Sequence, residues 1–180
     1  QNLALKFQEF FRTISKVRFE QIAGESFIDK KKYLALIAHN NMKGSLMEFC
    51  SMQSTKLEQF PLIATGTTGS LLFNKTGLVL SRKVASGPLG GDQAVGTMIS
   101  TKNICGVIFF RDPLSAHPHH ADIEALGRLC DVYQIPFATN PQSGEAILDY
   151  LLSGKSEREL IPNHVLQTYV QGQKKVVEAG

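Results

Sequence analysis

From Tyr33 onward, short apolar runs alternate with longer amphipathic ones. The runs YLALIAH (33–39), FPLIAT (60–65), LVLSRKV (78–84), GVIFF (106–110) and PFATN (136–140) read as strands. Between them, LMEFCSMQSTKLEQ (46–59), SLLFNKT (70–76), AVGTMISTK (94–102), IEALGRLCDVYQ (123–134) and GEAILDYLL (144–152) read as helices. Strands apolar along their whole length, joined by crossover helices, predict an α/β domain: a doubly wound, five-stranded parallel sheet with helices on both faces. That domain is expected over 33–154.

Two segments stand outside the alternation. Residues 1–32 include LALKFQEFFRTISKV, whose apolar positions Leu3, Phe7, Phe10, Phe11, Ile14 and Val17 form one helical stripe, so an N-terminal helical extension is expected. Residues 155–180 carry one short apolar run, a proline and a polar end, and are expected to pack as a tail on the domain or on a neighbouring subunit.

Composition adds limits rather than chemistry. A chain of 180 residues with 43% hydrophobic content can bury one adequate core without disulfides or a structural metal. Its formal net charge of +3 comes from scattered basic residues, which argues against nucleic acid and suits a small anionic substrate. Cys50, Cys105 and Cys130 form no CxxC pair and sit among apolar residues, so they are expected to be buried thiols in a reducing compartment. No apolar run has the length of a membrane span, and no signal-peptide core is evident; a cytoplasmic protein that docks on no membrane is the expectation.

In doubly wound sheets ligands bind beyond the carboxyl ends of the strands. The polar and glycine-rich clusters of this chain fall there: HNNMKG, GTTG, SGPLGGDQ, RDPLSAHPHHAD and NPQSG follow the five strands in turn. ATGTTGSLL sets Thr65, Thr67 and Thr68 between a strand and a helix, where backbone N–H groups and hydroxyls can converge on an anion. The competing reading is an ordinary βα turn with Thr67 or Thr68 as N-cap. Neither GK[ST] nor GxGxxG is present, so no nucleotide is indicated. Lys43, one turn after His39, can add a full positive charge, and Ser86 with Gly87 can add a hydroxyl and an N–H.

HPHHAD gathers His117, His119, His120 and Asp122. It invites a metal site, but no established ligand spacing is present and Pro118 stiffens the loop, so a histidine acting on a proton is the better use. Solvated histidines at the helix start are the plain alternative for His117 and His120. Asp112 can cap a turn, Asp122 can N-cap the helix at Ile123, and Arg111 can pair with either acid. Asp92, on the glycine-rich turn GPLGGDQ, completes a set of cradle, cation, carboxylate and imidazole suited to proton abstraction beside a carbonyl in a small phosphorylated substrate.

The loops ATGTTG, SGPLGGDQ, FFRDPL, PHHAD and FATN, in that order over about Tyr33 to Leu152, resemble those of the methylglyoxal synthase family. The resemblance implies a carbon–oxygen lyase without metal or cofactor that converts dihydroxyacetone phosphate to methylglyoxal and inorganic phosphate, commonly as a homohexamer inhibited by phosphate. It implies Asp92 as the general base, His119 as the imidazole serving the carbonyl oxygen, and Asp112 and Asp122 as further catalytic positions. It implies substrate and phosphate binding by His39, Lys43, Thr65, Thr67, Thr68, Ser86 and Gly87. Two departures stand out: Asn40 occupies a position where the family usually has Asp, and Arg111 one where an aromatic residue is familiar. A second reading, a non-catalytic allosteric module like the regulatory domain of carbamoyl phosphate synthetase, would share the cradle but not need the acid–base pair.

Overall fold

The computed structural model describes residues 32–154 and 161–178. The expected N-terminal extension lies outside the described residues apart from Lys32, as do residues 155–160 and 179–180 of the expected tail. Five parallel strands, β1 (Tyr33–Ala38), β2 (Leu62–Thr65), β3 (Arg82–Val84), β4 (Ile104–Phe110) and β5 (Phe137–Ala138), form one sheet in the order β3-β2-β1-β4-β5. The chain winds outward from β1 in one direction, then returns to build β4 and β5 on the other side. The crevice between the ends of β1 and β4 is therefore the point where ligands gather in such sheets.

The helices are α1 (Lys43–Met52), α2 (Ser54–Leu57), α3 (Gly66–Thr76), α4 (Gly91–Ser100), α5 (His120–Tyr133), α6 (Pro141–Leu152) and α7 (His164–Glu178). Strand side chains alternate between two cores, as the pleat requires. Leu34, Leu36, Ile108 and Phe110 meet Leu46 and Phe49 of α1, Leu72 of α3 and Leu148 of α6 on one face. Ala35, Ile37, Val107 and Phe109 meet Val95 and Ile99 of α4 and Ile123 and Leu126 of α5 on the other. Each fully buried Leu, Ile or Phe contributes roughly 1.5–3 kcal/mol, so both faces of β1 and β4 are fixed against slippage.

The long helices that follow the five strands begin three or four residues before the starts expected from sequence at 46, 70, 94, 123 and 144. The first turns of α1, α3 and α4 bring Lys43, Thr67, Thr68 and Asp92 to the crevice, and polar or small side chains at the helix starts carry no signal of helical periodicity. The helix of α6 starts at Pro141 with a capping box, Ser143 N–H donating to Asn140 Oδ1 at 3.0 Å. In the tail, α7 buries none of its residues; Asn163 ties its start to the end of α5 by donating to the Val132 carbonyl at 2.6 Å. No helix among the described residues is long and apolar enough to cross a membrane.

The three cysteines are free. Burial pushes the Cys50 and Cys130 thiols up to about 12 and that of Cys105 up to about 11, so all three stay protonated and unreactive.

Candidate active site

The loops after β1 to β4 enclose a cavity of about 520 Å³ at the carboxyl end of the sheet. Every expected site residue except Asp112 and Asp122 lines it. At one end stands the threonine turn. Thr65 closes β2 and is the N-cap of α3, while Thr67 and Thr68 lie inside the first helical turn; the expected cap at Thr67 or Thr68 is displaced to Thr65. First-turn N–H groups have no intrahelical acceptor, so the start of α3 offers them to an anion. Lys43, the first residue of α1, reaches across and donates from Nζ to Thr67 Oγ1 and, at 2.6 Å, to Asn40 Oδ1. Its charge is held by neutral oxygens alone.

Two glycines clamp the third loop against this turn. Gly66 has φ +30°, and a Cβ on it would lie 2.8 Å from Ser86 Cα; a Cβ on Gly91 would lie 2.2 Å from the Ala85 carbonyl oxygen. Gly66 N–H donates to Ala85 O at 3.2 Å and Gly91 N–H to Ser86 O at 3.0 Å. Ser86 and Gly87 are thereby fixed beside the cradle.

Asp92 is not on a turn, as the glycines suggested, but in the first turn of α4, directed inward and only 2% exposed. Neither carboxylate oxygen has a hydrogen-bond partner among the described residues. His119 Nε2 lies 3.7 Å from Oδ2, a distance for electrostatic attraction but not for a hydrogen bond. A Cβ on Gly87 would fall 3.0 and 3.2 Å from the two Asp92 oxygens and 3.2 Å from His119 Nε2, so the gap between base and imidazole exists because position 87 has no side chain. Burial pushes the Asp92 carboxyl above its ordinary range; the nearby His119 opposes the shift and Asp122 adds to it.

His39, at the end of β1, is 7% exposed. Its Nδ1 accepts the Asp112 backbone N–H at 2.8 Å, which leaves the proton on Nε2. That Nε2 is buried without a partner among the described residues, on a ring that lines the cavity. Burial is the largest of the causes that lower the His39 pKa to about 4, with the charges of His117, His119 and Arg111 adding and Asp112 opposing, so His39 is a neutral donor at physiological pH.

Asp112 and Asp122 sit elsewhere. The Asp112 carboxylate accepts from Ser115 Oγ at 2.6 Å, Asn41 Nδ2 at 2.8 Å and Leu114 N–H at 3.1 Å, and these bonds hold its pKa at about 2; it is the turn cap that the RDPLS stretch suggested. Asp122 lies in the first turn of α5, whose N-cap is His119 rather than Asp122. It faces a separate cavity of about 260 Å³ between α4 and α5, which Asp92 also borders. Arg111 pairs with Glu124 at 3.3 Å and lies over the Phe109 and Phe137 rings, outside the main cavity. His120 is exposed at the start of α5. Among the described residues no group of three or more His, Cys, Asp or Glu is arranged to hold a metal ion.

Among the lining residues outside the expected set, Asn40 supports Lys43, and His117 lies on His39 with ring centroids 3.5 Å apart. Nothing in the local spacing of HPHHAD signals the second contact, because the partner ring comes from the end of another strand, β1, distant in sequence.

The MGS-like domain family matches residues 46–139. Methylglyoxal synthases of Bacillus cereus and of Bacillus thuringiensis strain Al Hakam are each 50% identical to the chain over 121 residues, spanning 67% of this chain and 92% of the relative. The crystal structure of methylglyoxal synthase from Elizabethkingia anophelis NUHP1 superposes with a TM-score of 0.63 at 37% identity, over 74% of this chain and 94% of that one.

Proposed function

The chain belongs to the methylglyoxal synthase family, and from that premise we propose how its cavity carries out the lyase reaction that turns dihydroxyacetone phosphate into methylglyoxal and inorganic phosphate. The phosphate sits on the start of α3, held by Lys43, Thr65, Thr67, Thr68 and the Ser86–Gly87 peptide. Asp92 removes a proton from C3. Its buried, unsolvated carboxylate has a pKa raised toward the working pH, which suits a base acting on a carbon acid. As negative charge moves to the carbonyl oxygen, His119 and the neutral Nε2–H of His39 donate to it. The enediolate electron pair then expels phosphate from C1, and the enol so formed tautomerises to methylglyoxal. The cradle must hold the C1–O bond in line with the enediolate π system, so that elimination outruns reprotonation.

The observation that carries this reading is the Asp92 carboxylate, buried and without a hydrogen-bond partner among the described residues, on the wall of the cavity that holds the threonine turn and Lys43. A module that only binds would need the cradle, yet would bear the cost of that carboxylate for nothing. The test is release of both products from dihydroxyacetone phosphate, with chelator present, by wild type and by Asp92→Asn. Parallel loss of both products in the variant supports the assignment; equal turnover removes Asp92 from the role of base.

Exposed apolar side chains on α7, among them Val165, Tyr169 and Val177, support the homo-oligomer, a hexamer by family resemblance, that we place in the cytoplasm. Sedimentation equilibrium reads the mass; a monomer at micromolar concentration would overturn that part.

A further inference from the structure

We propose that His117 is a positioning residue for His39, holding it as a fixed donor toward the substrate oxygens. Three observations meet at one peptide segment. The Asp112 N–H donates to His39 Nδ1 at 2.8 Å, and the Asp112 carbonyl faces His117 Nε2 at 3.1 Å. A carbonyl can only accept, so His117 carries its proton on Nε2. The two rings, tied to the two ends of the same residue, lie 3.5 Å apart between centroids with a tilt of 31°. On a different side of His39 the Phe109 ring stands edge-on at 4.9 Å. His39 is thus bracketed by rings, with Nδ1 engaged and Nε2 without a partner among the described residues, on a ring that lines the cavity.

The bracket has an electrostatic side. The charged or titratable groups around His39 are His117 and His119 from the β4–α5 loop and Arg111 and Asp112 from the end of β4. Protonating His39 would put a proton on Nδ1 against the Asp112 N–H and a charge beside His117. Both consequences keep the ring neutral. Asp112 enters this arrangement through its main chain, while its carboxylate secures the turn through Asn41, Leu114 and Ser115. The sequence alone keeps solvation as a plain alternative for His117; the structure puts it in the cavity wall.

This inference rests on the donor role given to His39 above, and the test separates the two. Long-range ¹H–¹⁵N correlation spectra of the histidine rings are recorded on the full chain as wild type, His117→Ala and His117→Gln, with kcat and KM measured on the same samples. In wild type the His39 proton resides on Nε2 above about pH 5. In His117→Ala the His39 tautomers mix and its titration midpoint rises by up to about one pH unit. The acid limb of kcat follows it, and kcat falls about tenfold with KM nearly unchanged. His117→Gln keeps a donor for the Asp112 carbonyl and recovers part of the loss. An unaltered His39 spectrum and kcat in His117→Ala, or a drop in melting temperature alone, overturns the proposal. Full turnover in His39→Ala, which has no side-chain donor, would instead overturn the donor role of His39 and leave the spectral dependence on His117 intact.

Discussion

The β3–α4 loop and the β4–α5 loop each bring an aspartate to the carboxyl end of the sheet, and the fold handles the two in opposite ways. Asp112 accepts three hydrogen bonds and has its pKa held at about 2. Asp92 accepts none from the described residues, is sealed from solvent, and has its pKa pushed up by burial. The same side chain is a fastener in the β4–α5 loop and, in the function proposed above, the base at the start of α4. Unmet hydrogen-bonding capacity inside a cavity marks the place where a substrate completes the structure; a satisfied carboxylate at the same sheet edge marks architecture.

Substitutions can break or sharpen this contrast. Asp92→Asn has the largest effect, a loss of roughly 10³–10⁴-fold in kcat read by product release. The same change should stabilise the protein. A carboxyl whose folded pKa is raised contributes stability that is complete below its unfolded pKa and is lost as pH rises through the folded value, so wild type at neutral pH carries a penalty that Asn avoids. A gain of about 2–4 °C in melting temperature is expected for each kcal/mol recovered, on the order of one in total. A variant both inactive and less stable would contradict the account of Asp92 as a strained, unsatisfied group.

Lys43→Met comes next. It removes the cation of the cradle and leaves Thr67 and Asn40 without their donor, so KM should rise about tenfold or more with a smaller change in kcat. Gly87→Ala leaves the backbone free to keep its course but pushes a methyl into the space between Asp92 and His119. A kcat/KM lower by about tenfold with unchanged circular dichroism is expected, since a few tenths of an ångström at the reacting groups is enough.

Asp112→Asn should have the smallest catalytic effect, a kcat within about threefold of wild type, because its carboxylate lies outside the cavity. Its effect on stability has the opposite sign to that at Asp92. The depressed pKa of Asp112 contributes stability that is complete above the ordinary carboxyl value of 3.8 and lost as pH falls through about 2. The variant should therefore unfold in acid at a higher pH than wild type. The reverse order of the two acid-unfolding midpoints would erase the distinction drawn here.

The sheet was largely readable because β1, β2 and β4 are buried on both faces and their sequences are apolar throughout. β3, mostly exposed at one edge, begins only at Arg82, since Leu78 ahead of it turns into the core instead of joining the ladder. The helix starts were not legible for one physical reason: their first turns are built of polar and small residues, which carry no hydrophobic periodicity, and so Asp92 reads from sequence as part of a turn. The cradle was legible because a strand, a threonine–glycine cluster and a helix follow one another directly. The His39–His117 contact was not, because it joins two loops through the main chain of Asp112 and leaves no trace in local spacing.

The thiols of this chain gain significance from the chemistry in its cavity. A 2-oxoaldehyde is an electrophile to which thiolates add as hemithioacetals and with which guanidines condense, so a catalyst making one is exposed to damage at every turnover. Among the described residues lining the cavity there is no cysteine and no arginine. Cys50, Cys105 and Cys130 are kept as thiols by burial, and Arg111 is occupied by Glu124 and two aromatic faces. The packing that stabilises the two cores thus also keeps the three thiols protonated beside a source of that electrophile.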